Sequence, residues 1–375
     1  MRNYASIVIK PIIQENRNSF VKLRCFENFK ERCQSEKTFH HYKKNLDYFL
    51  NFCHKDYDSL LLLPQNELEQ VLQDFTIFLK RRVERGEISP NSVPVFLNGV
   101  FKFLKVNRKK FDKDLITELY PRRNKLGGEL AITTEQCKIM LDSTGKKRDK
   151  ALIHFYCATG ARPEAICELQ MKYVQHYQDG FFKVVLYAGD VSEMFTFLHP
   201  EASKALTEYL EWRKTTVEVL TDESPVFRSN SYRARITEPK PMTMNVMESV
   251  MVRLWKYSGI KRVKTGKRYD LASTTSFRKR FDTILEFNHE VSMGATQYLM
   301  NHDGYMSGKH YRRPTVEQVF QAYEKASSQL MVSDELRLKL KLEKESSKAN
   351  EVEFLKRKIA NVETLLLELQ SRNNT

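Results

Sequence analysis

Four segments of this sequence hold residues whose types suit chemistry on a phosphodiester. Ala158-Thr159-Gly160-Ala161-Arg162-Pro163 lies between two apolar helical stretches. Its glycine permits a tight turn, and its arginine emerges at a helix start. Thr275-Ser276-Phe277-Arg278-Lys279-Arg280-Phe281 carries a second arginine among basic neighbours. Tyr298-Leu299-Met300-Asn301-His302 ends in a histidine, and Tyr311 follows nine residues later, ahead of Arg312-Arg313-Pro314. Gly304 and Gly308 loosen the chain between them. Cleaving a phosphodiester requires charge neutralisation on the non-bridging oxygens of a pentacoordinate transition state. Two guanidiniums suit this, because each is a planar, bidentate, permanently charged fork. Fixed donors in a site that excludes water supply most of the rate in such reactions. A phenol with an ordinary pKa of about 10 is a poor nucleophile until nearby cations or a base favour its anion. Taken singly, each residue has a plainer role: a surface ion pair for Arg162, a solvated face for Arg278, structural packing for His302 and Tyr311. Their order along the chain is what sets them apart.

The elements that must position them are mostly helical. Within 16–120, Thr38 to Phe52 and Glu67 to Lys80 place apolar residues at spacings of three and four. Ser89-Pro90 opens a third helix that runs through Leu104 into the basic residues Lys105, Arg108, Lys109 and Lys110. Pro121 to Gly128 reads as a cationic linker, open to a role along a phosphate backbone or as a solvated hinge. Residues 129–330 mix helix and strand. Thr133-Thr134-Glu135-Gln136 resembles a capped helix start. Lys150 to Ala158, Glu201 to Trp212 and Val246 to Tyr257 follow the helical period. Phe181 to Tyr187 and Met194 to Leu198 are strand-like, joined by a turn containing Ala188-Gly189-Asp190. Residues 334–371 lack Pro and Gly. Val352, Leu355, Ile359, Val362, Leu366 and Leu369 form a short seam of heptad type there. That seam fits either self-association or packing onto the same chain. The expected class is mainly α with a small antiparallel β-sheet, in two domains plus a C-terminal helix.

Composition narrows the partner. The 375 residues carry 62 Lys and Arg against 47 Asp and Glu, a net charge of +15. The surplus is +9 in residues 1–128, +5 in 129–330 and +1 in the tail. A counterion-release argument for nucleic acid therefore applies to the body of the chain, although basic surfaces also suit anionic membranes. Disorder throughout is excluded by 41% apolar residues. The longest aliphatic run, Leu60 to Leu63, is far too short to span a bilayer. Six cysteines without C-x-x-C spacing argue against a zinc site or a disulfide framework, and for reduced thiols in the cytosol.

The ordered set Arg162, Arg278, His302, Tyr311 resembles the tyrosine recombinase (phage integrase) family. Its members show an Arg after a T-G-x turn, a later H-x-x-R, a His or Trp, and a Tyr nine residues on. The Y-R-R-P and S-F-R-K-R-F wording is most similar to archaeal integrases. The resemblance implies a helical core-binding module at 16–120, a linker at 121–128 and a catalytic domain at 129–330. It also implies that the two domains grip a DNA duplex and act as a tetramer on two DNA sites. Tyr311 would attack phosphorus to give a 3′-phosphotyrosine link, with no metal, nucleotide or other cofactor and no membrane, in the cytoplasm at the nucleoid. His302 would donate to the phosphate, Arg312 and Arg313 would lower the pKa of Tyr311, and Lys279 and Arg280 would contact phosphates. The sequence departs from the pattern in three places. Thr275 stands where His is usual. The turn Ala188 to Ser192 has no Lys, which leaves Lys183 in the first strand as the hairpin candidate for general acid. Glu164 or Glu168 would have to orient Arg162, since Ala165 stands where Glu is usual. These departures keep open a catalytically impaired DNA-binding protein on the same fold.

Overall fold

The structure, a computed structural model, describes residues 24–124, 128–215, 218–229, 239–265, 268–302 and 314–373. The chain divides into two compact units, Met1–Lys125 and Leu126–Thr375.

The first unit is helical: α1 Glu36–Cys53, α2 Tyr57–Leu62, α3 Gln65–Glu84, α4 Val93–Val106 and α5 Lys113–Thr117, after a helical stretch at 24–31. Ser35 caps α1 by accepting from the Thr38 N–H, and Asp56 and Ser59 form a capping box on α2. Ser89 caps a 3-10 turn, Pro90–Ser92, which leads into α4 with Pro94 in its first turn. The apolar stripes of α1, α3 and α4 meet in a core that includes Leu46, Phe49, Phe75, Leu97 and Phe103. Gly99 sets the approach of α4 to α1, since a Cβ there would lie 2.3 Å from the Tyr42 carbonyl oxygen. α4 ends at Val106, and the basic run continues beyond it. Lys109 turns back to the Leu61 and Leu63 carbonyls at the end of α2, where a cation offsets the helix dipole.

The second unit is built around α7, Lys147–Thr159, which is buried from Ala151 to Thr159 on nearly every side. α6, Thr134–Asp142, precedes it and is opened by a capping box between Thr133 and Gln136. α8, Pro163–Cys167, follows the Gly160 turn. A three-stranded antiparallel sheet in the order β1-β2-β3 comprises Val174–His176, Phe182–Leu186 and Met194–Leu198. β1 was not legible in the sequence because three residues are too few to show alternation. α9 Pro200–Lys214, α10 Met244–Ser258, a two-stranded hairpin of β4 Lys264–Thr265 and β5 Arg268–Tyr269, α11 Thr275–Glu286, α12 Met293–Leu299, α13 Val316–Leu330 and α14 Asp334–Asn373 complete it. One core lies among α6, α7, α9 and α10; a second joins Phe181 and Phe197 to Phe281, Phe320 and Tyr323. No described helix is long and apolar enough to cross a membrane.

Along α14, Val352, Leu355, Ile359 and Val362 are 49–59% exposed, so this part of the seam is not covered by its own unit. Its root is anchored. The Glu201 carboxylate accepts from the Val332 and Ser333 N–H groups at 2.7 and 2.8 Å.

Two buried histidines give the fold a pH dependence. His199 is sealed in the core and caps α9 through Nδ1, which accepts from the Ala202 N–H. Burial holds its imidazole well below the usual range. His154 lies 4.0 Å from Glu201, yet burial outweighs that carboxylate and lowers its pKa also. Both are therefore neutral when folded, whereas the unfolded chain protonates them at about pH 6.5. Their contribution is complete above that value and is lost as pH falls below it toward the folded pKa values. The urea midpoint should fall between pH 7.5 and 5.5, and replacing His199 with Asn should flatten that dependence.

Candidate active site

The turn after α7 brings the first arginine into place. Gly160 closes the helix in the left-handed region, φ +55°, with its N–H on the Tyr156 carbonyl. A Cβ at Gly160 would lie 2.8 Å from the Cβ, Cγ and Cδ1 atoms of Phe281, so glycine also permits α11 to pack close. Thr159 braces the turn by accepting from the Ala161 N–H, and the Tyr323 hydroxyl donates to the Ala158 carbonyl. Arg162 is then extended (φ −71°, ψ 146°), as a residue before proline prefers, and Pro163 begins α8. Its side chain is exposed.

α11 supplies the second arginine. Phe277 and Phe281 bury one face of this helix, which leaves Arg278 half-buried beside the turn. Its Nη1 donates to the Gly160 carbonyl at 2.9 Å, and its Nη2 donates to the Met300 carbonyl. One planar guanidinium thus ties the Gly160 turn to the end of α12. Burial, and next the charge of Arg162, pull its pKa down to about 10. The two guanidiniums are therefore close enough to repel. Two neighbouring guanidiniums make the site electropositive.

A third contributor is Tyr187, which follows β2. The charges of Arg162, Glu164 and Arg278 all act on its hydroxyl. Burial nevertheless raises the phenol's pKa, so the hydroxyl keeps its proton. Nothing in the sequence singles this residue out, since a tyrosine ending a strand is commonplace. Among the described residues neither Glu164 nor Glu168 forms an ion pair with Arg162.

The hairpin and the histidine segment meet at Asn301. This buried residue is left-handed (φ 48°), and its Nδ2 donates 2.9 Å to the Ser192 carbonyl in the β2–β3 turn. His302 follows, its N–H on the Gln297 carbonyl. It lies two residues beyond the carbonyl that Arg278 holds. Arg162, Arg278, Tyr187 and the backbone before His302 thus form one neighbourhood. Thr275 is exposed at the first turn of α11, one turn before Arg278. Lys183 pairs with Phe197 in the sheet, four residues before Tyr187, which is about 13 Å along the strand. Tyr311, Arg312 and Arg313 lie outside the described residues. Among the described residues no three His, Cys, Asp or Glu side chains converge as a cation site.

Arg280 corrects one expectation. It is 4% exposed, and its guanidinium is used by the Leu330 and Gln329 carbonyls and the Thr134 hydroxyl, all at 3.1 Å. It clamps the end of α13 rather than meeting solvent or phosphate. Replacing it with Met should cost about 2–4 kcal/mol, since three acceptors lose a charged donor. Urea unfolding would measure this.

This architecture, mainly helical with a small three-stranded antiparallel sheet, is the fold of the tyrosine recombinases and integrases. Three solved structures illustrate the likeness. The Tn1549 transposon integrase in complex with circular intermediate DNA superposes with a TM-score of 0.52 at 14% identity, covering 81% of this chain and 99% of that one. A lambda integrase dimer bound to a COC' core site gives 0.51 at 12% identity, covering 78% and 95%. A lambda integrase tetramer bound to a Holliday junction gives 0.51 at 11%, covering 84% and 85%. No family profile and no curated protein matches the sequence.

Proposed function

We propose that this protein is a site-specific DNA recombinase that cleaves and rejoins strands through Tyr311. Arg162 and Arg278 hold the non-bridging oxygens of the scissile phosphate, and His302 donates a further hydrogen bond. The phenolic oxygen of Tyr311 bonds to phosphorus as the bond to the 5′ oxygen breaks. The phosphodiester energy is kept in the phosphotyrosine link, so another strand's 5′ hydroxyl can reverse the step. One observation carries this reading: two arginines 116 positions apart in the sequence come within each other's field beside a shared glycine turn. The solved structures with this fold include DNA-bound dimers and tetramers, and we extend both properties to this chain. The helical unit at 16–120 would bind duplex, and the exposed seam of α14 suits a contact between protomers.

The test is a nicked suicide duplex that traps the covalent adduct. Wild-type protein should form it and Tyr311→Phe should not; an adduct that persists in the Phe variant overturns the assignment. A second reading, a DNA-binding protein without cleavage, is favoured by the lysine-free β2–β3 turn. It predicts salt-sensitive duplex binding with no adduct from any variant.

A further inference from the structure

The heptad seam of α14 belongs neither to the arginine site nor to the core of its unit. Val352, Leu355, Ile359 and Val362 are exposed, and the sequence continues the same stepping to Leu366 and Leu369. Upstream, Lys341, Glu345 and Lys348 take the equivalent positions. The apolar stripe is therefore confined to 352–369, about 25 Å of helix. It starts 18 residues beyond Asp334, about 27 Å along the axis from the root.

The helix itself needs no partner to form. Glu201 holds the Val332 and Ser333 N–H groups, and Asp334 pairs with both Lys138 and Arg337. A first turn fixed in this way removes the cost of nucleating a helix. Away from the seam, Arg357 and Glu353 pair at 2.6 Å while 77% and 63% exposed. They occupy the positions that face solvent in a coiled coil.

We infer that this seam pairs with the same seam of a second copy, giving a two-helix coil that forms without DNA. The charges flanking the stripe favour that occupant. With Val352 and Ile359 at a and Leu355 and Val362 at d, the sequence puts Lys356 and Glu363 at e, and Glu351, Lys358 and Arg372 at g. In a parallel pair each g position faces the next e of the other copy, so Glu351 meets Lys356 and Lys358 meets Glu363. In an antiparallel pair about the same centre, Lys356 meets Glu363 and Glu351 meets Arg372. Opposite charges meet in either orientation, and like charges in neither. A stripe meant for an unrelated surface has no reason to be complementary to itself. β-branched Val352 and Ile359 at a, with Leu355 at d, favour two strands over more.

Because one surface meets its own copy, the contact is isologous and closes at two chains. It differs from a segment handed around a ring from each subunit to the next. A four-chain assembly would be built from two such pairs. The inference does not depend on the recombinase reading, since it concerns the protein before any DNA is bound.

The experiment is sedimentation equilibrium of the full chain over a concentration series without DNA. The mean mass should rise from 44.2 kDa toward twice that value. Ile359→Lys should weaken the dimer by about a hundredfold or more, because each copy would bury an unpaired ammonium. Two charge variants supply the stricter test. Lys356→Glu with Lys358→Glu, and separately Glu351→Lys with Glu363→Lys, put like charges opposite each other in both orientations. Each should associate about tenfold or more weakly than wild type, and an equimolar mixture of the two should recover the dimer. That recovery also proves that both variants are folded. A mass of one chain at every concentration would overturn the inference. So would a dimer that survives Ile359→Lys, or a mixture that associates no better than its two components. A failed strand-cleavage assay would leave these masses unchanged, so the two readings stand or fall separately.

Discussion

Arg278→Lys should lower the rate of strand cleavage by about a thousandfold or more while duplex affinity changes only a fewfold. The expectation follows from what the guanidinium does in the free protein. It spans from the Gly160 carbonyl to the Met300 carbonyl, and an ammonium is a point charge that cannot reach both. Losing one preorganised donor to a transition-state oxygen costs about 10²–10³ in rate. Here the same change also unties the Gly160 turn, which carries Arg162, from the segment that leads to His302. A thousandfold corresponds to about 4 kcal/mol, at about 1.36 kcal/mol per decade. Duplex affinity is spread over many phosphate contacts and depends little on one half-buried cation. Single-turnover adduct formation and a gel-shift titration on the same duplex separate the two quantities. Cleavage within tenfold of wild type would remove Arg278 from the chemistry.

Arg162 and Arg278 were singled out by their order along the chain and by the resemblance that order carries; their local surroundings, a glycine turn before an Arg-Pro pair and a helix whose other face is phenylalanine, say only where each side chain emerges. The helices were legible because their signal is local: α1, α3, α4, α7, α9 and α10 bury stripes or faces with a clear period. Three things needed coordinates. Arg280 reads like its neighbours in the run Arg278-Lys279-Arg280. Two positions along a helix is about 200° of rotation, and that turned it inward to α13 while Arg278 faced the site. Tyr187 has no sequence signature, because its nearness to the charges of Arg162 and Arg278 depends on a strand ending where the Gly160 turn also arrives. The seam of α14 admitted two partners by pattern alone, and only the exposure of Val352 to Val362 separates them. For Arg280 the deciding contacts join residues far apart in the chain.

Gly160→Ala is expected to test stability and function together. The position has φ +55°, which costs a residue with a Cβ about 1 kcal/mol. The new methyl would also sit 2.8 Å from three atoms of Phe281. That ring is fully buried, in the core it shares with Phe320 and Tyr323 of α13. Overpacking of this kind costs about 1–3 kcal/mol, so the total expected loss is about 2–4 kcal/mol by urea unfolding. Gly145→Ala is the control, because nothing lies within 4 Å of its Cβ position and its backbone is ordinary; it should be neutral or slightly stabilising. The functional consequence comes from how the strain is relieved. If α11 shifts to make room, Arg278 moves with it. If the turn shifts, the Gly160 carbonyl leaves Arg278 and Arg162 changes direction. Either way the two guanidiniums lose their common register. Cleavage per folded molecule should therefore drop at least tenfold, even at a temperature where the variant remains native. A variant that lost stability but cleaved normally would mean that the turn only holds the core together, and that the distance between the arginines is set elsewhere.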